Sequence, residues 1–179
     1  MYADPDPSCD DEWGAGAAVG VPVTVTAAVF GGYLVSYGLD SYLGYVTMLG
    51  PGGEWLQFLV MAGLVVLHGV VHAVAYAVLG DGSWRSVRLD FSTEPGGIDP
   101  VRVAVLPGGR IRRTAYLVGV AAPGVVLGLV PAGWALVTGN PLAMFVGAFG
   151  LLLTGSDVSE LLAVLAAPDS TVEREFVSS

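Results

Sequence analysis

The sequence predicts an all-α membrane protein: four transmembrane helices with a small cytoplasmic β-hairpin between the second and third. Three observations lead there. Of 179 residues, 54% are hydrophobic and only 13% charged, about half the charged share of an ordinary soluble domain. Several charge-free runs are long enough to cross a bilayer, whose hydrocarbon core takes about 20 apolar residues per helix. The basic residues are gathered almost entirely between two of those runs, an asymmetry that orients membrane helices.

The chain opens on an acidic tail, residues 1–13, with Asp4, Asp6, Asp10, Asp11 and Glu12. A secretory leader starts basic, so the first apolar segment is expected to remain as an anchor. Residues 15–37 carry no charge and read as the first helix. Residues 55–80 read as the second, and besides Tyr76 their only titratable side chains are His68 and His72. A long uncharged stretch from Thr114 to Ser156 is broken by Thr138-Gly139-Asn140-Pro141. That break is a turn signal, and Pro141 is placed to open a helix. The third and fourth helices are therefore expected at 115–137 and 141–166, closing an integral membrane domain of 14–166. Between the second and third helices, in residues 81–113, SVRLDFS and PVRVAVL flank TEPGGID. Short runs rich in β-branched residues around a Pro/Gly turn read as a hairpin. A polar tail, 167–179, ends the chain.

Arg85, Arg88, Arg102, Arg110, Arg112 and Arg113 fall in the hairpin loop, and Arg174 in the last tail. The opposite loops, near 40–54 and 138–140, contain no arginine or lysine. The positive-inside rule then places the loop and both termini in the cytoplasm of a multi-pass cell-membrane protein. Trp13, Trp55 and Trp134 fall near predicted helix ends, where indoles anchor at the interface. The net charge is −9 and lysine is absent. With its Ala, Val and Gly content, this composition reads as that of a halophilic, GC-rich organism, a haloarchaeon. The lipid bilayer is the implied partner; nucleic acid is excluded, because binding it requires a basic patch. Cys9 is the single cysteine, too few for a disulfide or a thiolate metal framework.

The chemistry lies in VVLHGVVHAVAY, residues 65–76, which holds both histidines of the chain. At i and i+4 on a helix, His68 and His72 share one face with Cβ atoms about 5–6 Å apart. That spacing lets two imidazoles grip one ion. Zinc needs a third protein ligand, and a carboxylate completes such sets. Asp157 supplies one from the predicted fourth helix, with Glu160 one turn later. An uncompensated aspartate in hydrocarbon is costly, which makes it a candidate site residue. Counted from the cytoplasmic helix ends at 1.5 Å per residue, His72, Asp157 and His68 lie at roughly 12, 14 and 18 Å depth. The expected metal ligands are thus His68, His72 and Asp157, holding Zn²⁺ with a fourth position open. Pro123 reaches a similar depth in the third helix. Lacking an N–H, it frees the carbonyl of Gly119 and kinks the helix; the bend either opens room at the site or is ordinary helix packing.

These features resemble the small membrane zincin peptidases, distant relatives of the site-2 proteases. That pattern has H-E-x-x-H on a membrane helix, a β-like loop, an alanine-proline in the next helix, and a turn of the S-G-x-D type in the last. Here the matching positions are His68 and His72, the 81–113 loop, Ala122-Pro123, and Thr154-Gly155-Ser156-Asp157. The likeness covers roughly 55–179. One position departs: Gly69 stands where the pattern has glutamate. The resemblance implies that this glutamate is the general base, which takes a proton from the attacking water and passes it to the leaving amine. Losing a general base typically costs about 10²–10⁴ in rate, while the ligand set is untouched.

Three readings remain open. In one, the chain is a metal-binding member that has lost or weakened peptidase activity. In another, it is an active metalloprotease with a different base, Glu160 being the nearest candidate. In the third, it is a structural or regulatory membrane protein whose histidines are packed or hydrogen-bonded without metal. If it cleaves, the 81–113 hairpin offers a place where a membrane protein or peptide substrate could pair its backbone; otherwise the hairpin lies on anionic headgroups.

Overall fold

The computed structural model describes residues 7–50, 52–79, 84, 87–92, 102–107 and 112–166. The first helix, α1 (Pro7–Tyr37), starts eight residues earlier than expected and runs without interruption through Pro22. After Gly38, which turns the chain at φ 78°, a short α2 (Leu39–Met48) occupies what reads in sequence as an outer loop. The apolar run with both histidines forms α3 (Gly53–Leu79), of which only Gly53, Leu64, Tyr76 and Ala77 are buried within the molecule. Then come strands β1 (Val87–Ser92) and β2 (Arg102–Pro107), paired antiparallel from Val87↔Pro107 to Ser92↔Arg102.

The third long apolar segment is composite. It begins as α4 (Arg113–Pro123), widens into a π-helical stretch from Gly124 to Leu129, and returns to α geometry as α5 (Val130–Thr138). The π stretch starts directly after Pro123, where the missing N–H interrupts the regular ladder. The turn at 138–141 lies where the sequence puts it. Gly139 takes the left-handed conformation at φ 72°. Asn140 caps α6 (Pro141–Leu152), its Oδ1 accepting the Ala143 N–H at 3.0 Å. Leu153 and Thr154 interrupt that helix, and α7 (Gly155–Ala166) leaves at 47° to it.

The expected fold class therefore needs correcting. Three helical segments among the described residues are long and apolar enough to cross a membrane: Val19–Tyr37, Gly53–Leu79 and Arg113–Thr138. The fourth is not a continuous helix over 141–166 but the bent pair α6 and α7. Nor is a closed cytoplasmic hairpin among the described residues. The two strands pair, but the turn expected at TEPGGID lies outside the described residues.

Small residues bring the later helices into backbone contact, the packing that membrane helices rely on. A Cβ on Gly147 would meet the backbone of Ala132, and one on Gly150 would meet the Leu127 carbonyl. A first core cluster joins Tyr33, Ala135 and Met144. There Tyr33 and Tyr37 donate their hydroxyls to the carbonyls of Gly139 and Leu136, both at 2.8 Å. These bonds satisfy chain-end carbonyls of α5 that the helix itself leaves open. A second cluster joins Tyr76, Tyr116 and Val120 near the opposite end. Beside it, the Arg113 guanidinium donates to the Val164 and Leu165 carbonyls at 2.8 and 3.1 Å. The start of α4 is thereby tied to the end of α7, which packs on α1 and α4.

Candidate metal centre

The i, i+4 spacing places both imidazoles on one face of α3, and the ring centroids stand 4.9 Å apart. Asp157 reaches them from the first turn of α7. It can do so because the chain breaks at Thr154: the threonine hydroxyl donates to the Leu151 carbonyl at 2.7 Å and closes α6. Its carbonyl then accepts the Val158 N–H at 2.9 Å and opens α7. The break sits against the start of the π stretch, where a Cβ on Gly124 would lie 3.0 Å from the Thr154 methyl carbon. A helix start carries partial positive charge, so the carboxylate stands where the backbone favours one.

Four atoms of three side chains converge. His68 Nε2 lies 3.2 Å from Asp157 Oδ2, His72 Nε2 lies 3.3 Å from Asp157 Oδ1, and the two Nε2 atoms are 3.2 Å apart. The three side chains are 14%, 12% and 10% exposed. Among the described residues this is the group of three or more His, Cys, Asp or Glu side chains able to hold a metal ion.

The spacing tests whether an ion fits. Zinc bonds of about 2.0–2.1 Å in tetrahedral array put ligand atoms ~3.3–3.4 Å from one another. The nitrogen–nitrogen separation and the shortest distance from each imidazole to the carboxylate, 3.2–3.3 Å, are close to that, although the two rings meet different oxygens of Asp157. Charge-assisted hydrogen bonds are shorter, about 2.7–2.9 Å. Proton count favours the ion as well. His72 Nδ1 stands 3.0 Å from the Gly119 carbonyl oxygen, which can only accept, so the neutral ring carries its proton there. Its Nε2 is then a bare lone pair facing a carboxylate and a second imidazole. Asp157 Oδ2, 3.2 Å from His68 Nε2, is a buried polar atom with no hydrogen-bond partner. Buried polar atoms without partners are uncommon, and an unplaced ion is one of their ordinary causes. The donor set suits zinc, which takes imidazole nitrogen and carboxylate oxygen.

Glu160, three residues after Asp157, is not in the converging group. It accepts a hydrogen bond from the Tyr116 hydroxyl. Tyr116 stacks on Tyr76 at 5.8 Å, and Tyr76 stacks on His72 at 6.0 Å. An aromatic column thus leads from the metal-ligand candidates to Glu160, unremarked in the sequence although Tyr76 stands four residues after His72. Gly69 is partly buried beside His68 on α3. An apolar cavity of about 210 Å³ opens between α1, α4 and the π stretch, lined by Val21, Val25, Val120 and Gly124 and reaching Thr154 and Asp157.

Comparison with known proteins agrees with this arrangement. Neither the curated proteins nor the solved structures gave a match. The family model described as "Putative zincin peptidase" matches residues 61–172, more than half of the chain and the stretch that contributes His68, His72, Gly119 and Asp157. The chain belongs to that zincin peptidase family.

Proposed function

We propose that the protein is an integral membrane zincin-family metalloprotein that binds zinc through His68, His72 and Asp157, with peptidase activity impaired or lost at Gly69. The observation that carries this reading is the convergence of two imidazole nitrogens and one carboxylate among apolar helices. Zinc held there would act as a Lewis acid, polarising a carbonyl and acidifying water. The protein's own residues decide whether that potential is used. Asp157 and the two imidazoles are committed to the ion. Gly69, which takes the place of the expected glutamate, has no side chain to accept a proton. Glu160 is the other carboxylate nearby, and its engagement by Tyr116 favours a structural use over a reading in which it serves as the base.

The bundle belongs in a bilayer on this reading, and the partner is a membrane-embedded peptide segment. The cavity beside Asp157 is lined by apolar side chains, which suits such a segment better than a polar peptide. Metal content decides the central claim. Protein purified in detergent should carry about one zinc per chain, as expected for a single such site, and His72→Ala should lose it. Equal zinc in both would reject the metal site and return the histidines to packing.

A further inference from the structure

Of the two imidazoles in the candidate metal centre, one is held and the other is not. His72 Nδ1 donates to the Gly119 carbonyl at 3.0 Å, whereas His68 Nδ1 is buried with no partner. The held ring depends on an acceptor that a regular helix would not offer. In an α-helix the carbonyl of residue 119 is taken by the N–H of residue 123. Residue 123 is proline, inside α4 and buried, and has no N–H to give. The next donor along the chain does not reach back either: the Gly124 N–H bonds the Ala121 carbonyl. Beyond it the backbone has already widened into π geometry, the Val130 N–H reaching Val125.

We propose that Pro123 is a positioning residue for the metal centre, one that withholds an N–H from Gly119 so that its carbonyl fixes the His72 tautomer with Nε2 directed at His68 and Asp157. This rests on the zinc reading above. Gly119 contributes by being small. A Cβ there would run into the Tyr76 ring, one turn along α3 from His72, and push α4 off the helix that carries both ligands. A second-shell acceptor of this kind orients a ligating histidine and raises its basicity, and losing one typically costs about 10–100-fold in metal affinity.

The test is Pro123→Ala in the full-length protein, with Pro131→Ala, farther along the same composite helix, as control. Alanine restores the donor at residue 123 and suits a helix. Two readouts separate the claim from the zinc reading. In metal-free protein labelled with ¹⁵N-histidine, the native His72 ring should show the Nδ1–H tautomer, assigned by difference from His68→Ala. In Pro123→Ala that preference should be lost. Zinc affinity should then fall about 10–100-fold in Pro123→Ala and stay within about twofold in Pro131→Ala. An Nε2–H tautomer in the native protein, or an unchanged tautomer and affinity in Pro123→Ala, overturns the proposal. The tautomer is read without metal, so native protein that binds no zinc would remove the zinc reading without touching the His72 result.

Discussion

Gly69 directly follows His68, at the position where the family resemblance places a glutamate, and its side chain is a hydrogen. The candidate ligand atoms near it come from His68, His72 and Asp157, none of which could take a proton while holding an ion. Restoring a carboxylate tests how much of the machinery survives. Gly69→Glu is expected to raise cleavage of a hydrophobic peptide in detergent by about 10²-fold or more, the usual contribution of a general base. Glycine also disfavours helix, so the change should not weaken α3 locally. High activity in the native protein before the change would mean that another group moves the proton, and Glu160 with Tyr116 would be the first place to look. At this scale the sequence was informative. Two histidines four apart in an apolar run, and an aspartate at matching depth, are rare enough to point at each other. The Gly119 carbonyl was legible as a freed group because Pro123 follows it by four. That His72 would take it was not, since the pairing depends on how closely α3 and α4 approach.

The helices show where pattern reading stops. Charge-free runs revealed the long apolar helices, and Gly139-Asn140-Pro141 revealed the turn between two of them, because those residues act on the local backbone. The break at Thr154 was visible as a turn only through the family resemblance. Thr-Gly-Ser is a weak interruption, and the deciding contact, Gly124 against the Thr154 methyl, is made with another helix. The π stretch and α2 were hidden for the same reason: apolar composition says a segment is helical without saying which helix. Close packing gives the element-scale prediction. Gly150 lies against the Leu127 carbonyl, while a Cβ on Gly133 would meet nothing within 4 Å. Gly150→Ala should therefore overpack the interface between α6 and the π stretch and cost about 1–3 kcal/mol, read as a lower thermal midpoint in detergent. Gly133→Ala should be neutral or slightly stabilising, alanine being the better helix former. If both behave alike, the backbone contact between these helices is looser than described.

For the whole molecule, the prediction concerns the direction in which its long apolar helices would cross a membrane. The metal candidates sit nearer the end where Arg113 clasps α7 than the end where Tyr33 and Tyr37 cap α5. Which compartment meets the site therefore follows from which end is cytoplasmic. The arginines argue for the Arg113 end, because basic residues near span ends stay on the cytoplasmic side. With the bent pair as one crossing, there are four spans, and an even number returns both termini to one face. The chain carries its own reporter. Cys9 is its only cysteine and precedes the first span, Val19–Tyr37, by ten residues, about 15 Å if helical. A membrane-impermeant maleimide should label it in inverted vesicles and leave it unlabelled in intact cells. Cys9→Ser should abolish the signal, and a cysteine placed at Ser41, in α2 on the opposite side, should show the reverse pattern. Labelling of Cys9 from outside intact cells would invert the molecule and put the Arg113 end, with the site nearest it, on the external face.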